Sequence, residues 1–207
     1  MAHNLILGEN EEVKKRVTTI LTAYQKEYLA DKDGTLSKFE PMLGFVAENT
    51  EFPRLRLRSS SQEMFWQMGY TDSNGIKKGS LNSVMGVSSK DDEGKLRGKR
   101  GYIFFEEMGS FPNLLTIYDT VRYGVEEGDY TFGLIYLVGT SAEDASDFAS
   151  AKTLLYSPEG YNIYPIENVF DRPKQGRPKF GFFFPSYVNR KGCYDENGNS
   201  DVVKALI

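Results

Sequence analysis

Two short apolar runs that do not alternate constrain this chain most. They are residues 102–105 in "GKRGYIFFEEMG" and residues 134–138 in "FGLIYLVGTS", with the helically spaced segment "PNLLTIYDTVRYG" between them. Apolar runs without alternation belong to strands buried on both faces, and parallel strands need a crossover, usually a helix, to join them. "NSVMGVSS", "YNIYPIE" and "PKFGFFFPSY" read as further strands, and "FPRLRLRSS" as one whose period of two puts Arg54, Arg56 and Arg58 on one face. "NEEVKKRVTTILTAYQKEYLADKDG" places Val13, Val17, Ile20, Leu21, Tyr24 and Tyr28 at helical spacing, with Asn10 as N-cap and Gly34 beyond the end, and predicts a helix. "SAEDASDFASAKTLLYS" predicts another, opened by Ser141 and Asp144 at capping-box spacing. Residues 71–80, 88–100 and 190–201 are rich in Gly, Ser, Lys, Asn and Asp and read as loops. The expected fold is α/β, a mainly parallel sheet of about five strands flanked by helices.

Composition narrows the function classes. The chain has 207 residues, 40% of them hydrophobic, and can bury a real core. Its net charge of -4 supplies no global field toward nucleic acid or anionic membrane, so any nucleic-acid contact has to be local. One cysteine, Cys193, and one histidine, His3, leave no internal disulfide framework, no Cys/His metal cluster and no Cys-His nucleophilic pair. No stretch approaches the length of a membrane span, and a soluble protein of a reducing cytosol is expected.

The first apolar run ends in two adjacent carboxylates, Glu106 and Glu107. In an open parallel sheet, ligands sit just beyond the carboxyl ends of the strands. Acids there suit a nucleotide hydrolase: one carboxylate takes Mg²⁺, usually through water, and the next orients the attacking water. Glu106 is then the metal-side acid and Glu107 the catalytic one. One glutamate capping a helix and the other solvated would give the same sequence.

The ordered set "NSVMGVSSKDDEGKLRGKRGYIFFEEMGSFPN", "GLIYLVGTSAEDASDF" and "YNIYPIENVFD" resembles the ATPase domain of the large terminase subunit of tailed bacteriophages, particularly of gut phages infecting Bacteroides-like hosts. The resemblance runs from about Tyr24 to Asp201. It implies a P-loop NTPase fold of the ASCE type, with "FFEE" as the Walker B strand carrying Glu106 and Glu107, and Gly139, Thr140 and Ser141 as the coupling motif. Leu96 to Gly98 matches the Arg-Gly turn that feeds Walker B, which makes Arg97 a possible phosphate or subunit contact. The resemblance further implies ATP as substrate, Mg²⁺ as cofactor, translocation of double-stranded DNA into the capsid, the portal and small terminase subunit as partners, a possible ring homo-oligomer, no membrane, and the host cytoplasm. Residues 1–189 would be a partial ATPase domain, and residues 190–207 a polar turn starting the connection toward a nuclease domain that also cuts DNA.

Two features depart from that family. Glu106 stands where most terminases have Asp, and no G-x-x-x-x-G-K-[ST] stretch is present, since "GKLRGKRG" has no hydroxyl residue after either lysine. The phosphate-cradling loop is expected upstream of Met1 and the nuclease cluster beyond Ile207, and this chain alone is expected to be inactive. The alternatives are a non-catalytic P-loop-like fragment or interaction module, and a helicase-like ATPase unrelated to packaging.

The remaining features read more simply. Lys95, Arg97, Lys99 and Arg100 could meet phosphates, DNA or an acidic surface, or be solvated charge. Phe65, Trp66 and Tyr70 could stack on a base or belong to the core. "DENGNSD" has Gly at its fourth rather than sixth position and reads as a polar turn instead of a calcium loop. Glu126, Glu127 and Asp129 read as a solvated loop.

Overall fold

The computed structural model describes Leu5 and residues 16–51, 56–57, 64–90, 93–127, 130–131, 133–140, 148–163 and 190–206. The chain divides into two compact units, residues 1–150 and 151–207.

In the first unit a mixed sheet is built from β1 (Thr18–Ala23), β2 (Arg56–Leu57), β3 (Phe65–Met68), β6 (Ser83–Ser88), β7 (Tyr102–Phe105) and β10 (Ile135–Leu137), in the order β10-β7-β1-β6-β3-β2. The strands β10, β7, β1 and β6 are mutually parallel, and β3 runs antiparallel to β6 and β2. Two short hairpins stand apart, β4 (Tyr70–Thr71) with β5 (Lys77–Lys78) and β8 (Glu126–Glu127) with β9 (Tyr130–Thr131). Among the described residues the helices are α1 (Glu27–Ala30), α2 (Phe39–Asn49) and α3 (Leu114–Arg122) in the first unit, α4 (Phe148–Tyr156), which enters the second unit at Ala151, and α5 (Val202–Leu206) in the second. The α/β architecture with a mostly parallel, helix-flanked sheet is therefore as the sequence predicts.

The helix predicted over residues 10–34 is corrected: its middle, Thr18–Ala23, is the central strand. "TTILTA" carries four β-branched residues, which favour a pleated, packed surface. Five of its six residues are buried, and both edges are hydrogen-bonded, to β6 and to β7. Helical spacing of apolar residues was a coincidence of a strand apolar on both sides followed by the short helix α1. Residues 71–80, read as a loop, form most of the β4–β5 hairpin, whose turn Asp72 closes by accepting from the N–H groups of Asn74 and Ile76. Tyr161 of "YNIYPIE" lies in a 3-10 turn, Pro158–Tyr161, and Asn162 takes φ 55°, so the segment's described start is not a strand. The rest of that segment, "PKFGFFFPSY", Arg54, Arg58, Ser141 and Asp144 lie outside the described residues.

The register divides the side chains between two faces. Ile20, Ile103 and Ile135 share one face with Thr22, Phe105 and Leu137. Phe111, on the way into α3, packs on Phe105 with ring centroids 5.5 Å apart. Leu114, Ile117, Tyr118 and Val121 of α3 are buried at helical spacing. On the other face Leu21, Ala23, Val84 and Trp66 join Leu29, Leu36, Phe39 and Leu5 in one cluster. Trp66 belongs to the core: it meets Phe39 edge to face at 5.5 Å, and its Nε1 donates to Glu40 Oε2 at 2.7 Å. In the second unit Asp195 accepts from the N–H groups of Asn199 and Asn197, and these bonds, those of Asn199 first, hold its carboxyl below the usual range; the tail is the polar turn expected.

At the amino edge of the sheet the turn into β7 is crowded against β1. Gly101 takes φ +128°, and a Cβ there would stand 2.1 Å from the Thr18 carbonyl oxygen. Gly101→Ala is expected to lower stability by about 2–5 kcal/mol through backbone strain and overpacking, as read by urea unfolding. Gly75→Ala, at φ +78° in open space, should cost about 1–2 kcal/mol.

Candidate functional site

The connections that leave β1 and β7 diverge. The chain after β1 passes to the face of Leu29, Leu36 and Phe39, while the chain after β7 passes to the face of Phe111. Adjacent parallel strands whose following connections take opposite faces leave a crevice at their carboxyl ends, the usual ligand position in such sheets. Glu106 and Glu107 stand at that place.

The strand ends at Phe105, and the backbone of Glu106 is still anchored, its N–H donating to the Thr22 carbonyl of β1 at 2.8 Å. Glu107 then takes φ 51°, ψ 53°, a left-handed conformation uncommon for a residue with a Cβ. This turn lets two successive residues serve one edge, where an unbroken strand would send them to opposite faces. The left-handed residue is Glu107 itself, and 3-10 residues Met108–Ser110 follow. Ser110 satisfies the Glu107 carbonyl twice, through its N–H at 2.9 Å and its hydroxyl at 2.7 Å.

Among the described residues neither carboxylate caps a helix. Glu107 makes no side-chain bond to the 3-10 turn that it precedes, and its Oε2 instead accepts from the Thr140 hydroxyl at 3.0 Å and the Thr140 N–H at 3.3 Å. Gly139 makes that reach possible, since a Cβ there would lie 2.6 Å from the Met108 nitrogen and 3.1 Å from the Glu107 carbonyl carbon. The end of β10 is thus held against the end of β7, through Val138 N–H to Phe105 O at 3.1 Å and Met108 N–H to Val138 O at 2.9 Å. Glu106 is held from the other side, its Oε1 accepting from the Thr35 hydroxyl at 3.0 Å. Both glutamates are half-buried, and among the described residues each side chain bonds to neutral donors only.

Gly139 and Thr140 therefore sit beside Glu107, and Ser141 lies outside the described residues. Arg97 is exposed in a turn whose N–H donates to Gly94 O, followed by Gly101 against Thr18 at the amino edge. The length of β7, about 13 Å for four residues, separates that edge from the acids. Thr35 escapes sequence reading because it is 71 residues from its partner; no local pattern signals it.

Among the described residues no group of three or more His, Cys, Asp or Glu could hold a metal by itself. Mg²⁺ in nucleotide enzymes needs no such cage, because it keeps several waters and takes one or two carboxylates plus phosphates. The donor set here fits that mode: among the described residues Glu106 Oε2 and Glu107 Oε1 have no hydrogen-bond partner. Among the same residues no helix is long and apolar enough to cross a membrane.

No family model matches the chain, and no curated protein matches it.

The left-handed turn at Glu107 stores strain that glycine would relieve. Glu107→Gly is expected to be more stable than Glu107→Ala by about 1 kcal/mol, the reverse of the order at an ordinary strand or helix position. Paired urea titrations check it, and Ala equal to or above Gly would remove the strain.

Proposed function

We propose that this chain is part of the ATPase of a phage DNA-packaging motor of the large-terminase type, with Glu107 orienting the attacking water and Glu106 on the metal side. The observation that carries this reading is the Glu107 geometry: a catalytic-type acid in a strained turn at the carboxyl end of a central parallel strand, bonded by Thr140 from the next strand over. Strained backbone held by surrounding contacts is a feature of functional sites. The Thr140 bond supports the coupling-motif role inferred for Gly139 to Ser141, since a shift in the end of β10 would move the Glu107 carboxylate.

The sheet order also suits a phosphate-binding loop supplied from upstream. Leu5 is buried in the cluster with Leu29 and Phe39, so the chain before β1 reaches that same face. The crossover from β1 to β2 over this face runs toward the β2 edge. A parallel strand feeding β1 over the same face with the same hand must then lie on the β10 side. The places there are filled by β7 and β10, which leaves the outer side of β10, where Leu134, Tyr136 and Val138 are exposed. A loop leaving the carboxyl end of such a strand would arrive beside Thr140 and Glu107.

When bound with the nucleotide, Mg²⁺ supplies charge neutralisation at the β- and γ-phosphates. Glu106 would hold its hydrated shell. Glu107, turned out of the strand and keeping Oε1 open, accepts a hydrogen bond from the water that attacks. The DNA, portal, small-subunit and ring partners, and the host cytoplasm, follow from the same reading. The absence of G-x-x-x-x-G-K-[ST] from the 207 residues favours the second reading, a non-catalytic module of the same fold.

Phosphate release with Mg²⁺ and ATP separates the two. The 207-residue chain is expected to show no turnover above background, because the lysine and amides that neutralise the phosphates are not in its sequence. In the reading frame extended upstream through a phosphate loop, Glu107→Gln should keep nucleotide affinity while losing about two to four orders of magnitude in single-turnover hydrolysis. Glu106→Gln should instead weaken Mg²⁺-dependent nucleotide binding. Normal hydrolysis by Glu107→Gln removes the catalytic assignment.

A further inference from the structure

We propose that Thr35 is a positioning residue for Glu106, holding one carboxylate oxygen so that the other is presented to the divalent cation of a metal–nucleotide complex. This rests on the reading of the acid pair as a nucleotide site. Thr35 lies in the connection between α1 and α2, and its hydroxyl donates to Glu106 Oε1 at 3.0 Å in a part-buried setting.

The origin of that hydroxyl is fixed. The turn before it is pressed onto α1, where a Cβ on Gly34 would stand 2.6 Å from the Leu29 carbonyl carbon. Thr35 N–H donates to Tyr28 O at 3.1 Å and Leu36 N–H to Leu29 O at 2.9 Å. Leu36 and Phe39 then anchor the segment in the core, each 2% exposed. The far end is fixed as well, since the Glu106 N–H is bonded to Thr22 O. Between two fixed backbones the Glu106 side chain has the most freedom to turn, and a glutamate loses much rotamer freedom when it is held. The Thr35 bond selects one orientation in advance.

The chemistry of the donor matters as much as its place. A lysine or arginine at this position would hold the carboxylate but neutralise it. A hydroxyl holds one oxygen and leaves the full charge, with Oε2 unpartnered among the described residues. That is what a carboxylate needs if it is to take a hydrated divalent cation without building a closed cage. Thr140 treats Glu107 in the same way, so the two acids are oriented from opposite sides, each by a threonine that follows a neighbouring strand.

Mn²⁺–ATP binding to the reading frame extended upstream through a phosphate loop tests this, read from paramagnetic broadening of backbone amide signals at residues 105–108. Thr35→Val, nearly isosteric and lacking the hydroxyl, is expected to weaken Mn²⁺–ATP binding about fivefold to tenfold, the scale of one hydrogen bond to a charged group that is partly solvated. Thr35→Ser, which keeps the hydroxyl, should stay within about twofold of wild type. Urea midpoints of the two variants separate lost positioning from lost fold, since a purely structural role would move the midpoint and leave the affinity of the folded chain unchanged. Wild-type affinity in Thr35→Val, with weakened binding in Glu106→Gln, overturns the proposal and leaves the acid-pair reading standing. No broadening in the wild type, or no effect of Glu106→Gln, overturns the acid-pair reading and this proposal with it.

Discussion

The structure of the first unit depends on β1 being hydrogen-bonded along both edges while both of its faces are covered. A strand in that position has no solvent side, so each residue of "TTILTA" is assigned to one of two cores. Ile20 and Thr22 join the layer under Phe111, and Leu21 and Ala23 join the layer under Leu29 and Phe39. Burial of an aliphatic side chain contributes about 1.5–3 kcal/mol relative to exposure, so Ile20 and Leu21, both nearly fully buried, hold the two layers onto one sheet. The same placement makes β1 and β7 neighbours whose exits diverge, and the crevice follows from that alone.

At the crevice, the cost of two adjacent carboxylates is contained by geometry rather than by countercharge. Like charges on consecutive residues repel, and a basic partner would relieve the repulsion while consuming the charge. Here each acid instead takes neutral donors, Thr35 for Glu106 and Thr140 for Glu107. The left-handed backbone at Glu107 and the close approach of Gly139 are what bring Thr140 within reach of Glu107. Strain and crowding appear where the acids are, and again at the amino edge, where Gly101 closes on Thr18. These two sets of contacts pin β7 at both ends, so the acids project from a strand that has little freedom to slide.

The two local signals that were legible differ in kind from the one that misled. α3 shows its stripe of Leu114, Ile117, Tyr118 and Val121 because one of its sides faces solvent. The β7 run shows as unbroken apolar residues because Ile103 and Phe105 are buried on one side while Tyr102 and Phe104 are half-buried on the other. β1 is buried on both sides, but its threonines interrupt the apolar run, and flanking residues complete a helical spacing by chance. Thr22 is accommodated there because its hydroxyl donates to Val87 O at 2.9 Å, a partner that is 65 residues away.

By itself the sequence determined the class of the fold, the strand at β7, the helix α3 after it, the strand at β10 and the pairing of Glu106 with Glu107, since each of these is written in residues close together along the chain. Apolar runs, helical stripes and adjacent acids are local patterns, set by burial and by the periods of strand and helix. Only the tertiary structure decided that residues 18–23 are a central strand, that the acids meet at a diverging crevice, and that Thr35 and Thr140 hold them. Those facts rest on pairings between residues 33 to 83 positions apart, where hydrogen bonds and packing between distant segments override local propensity. No window of sequence contains both partners.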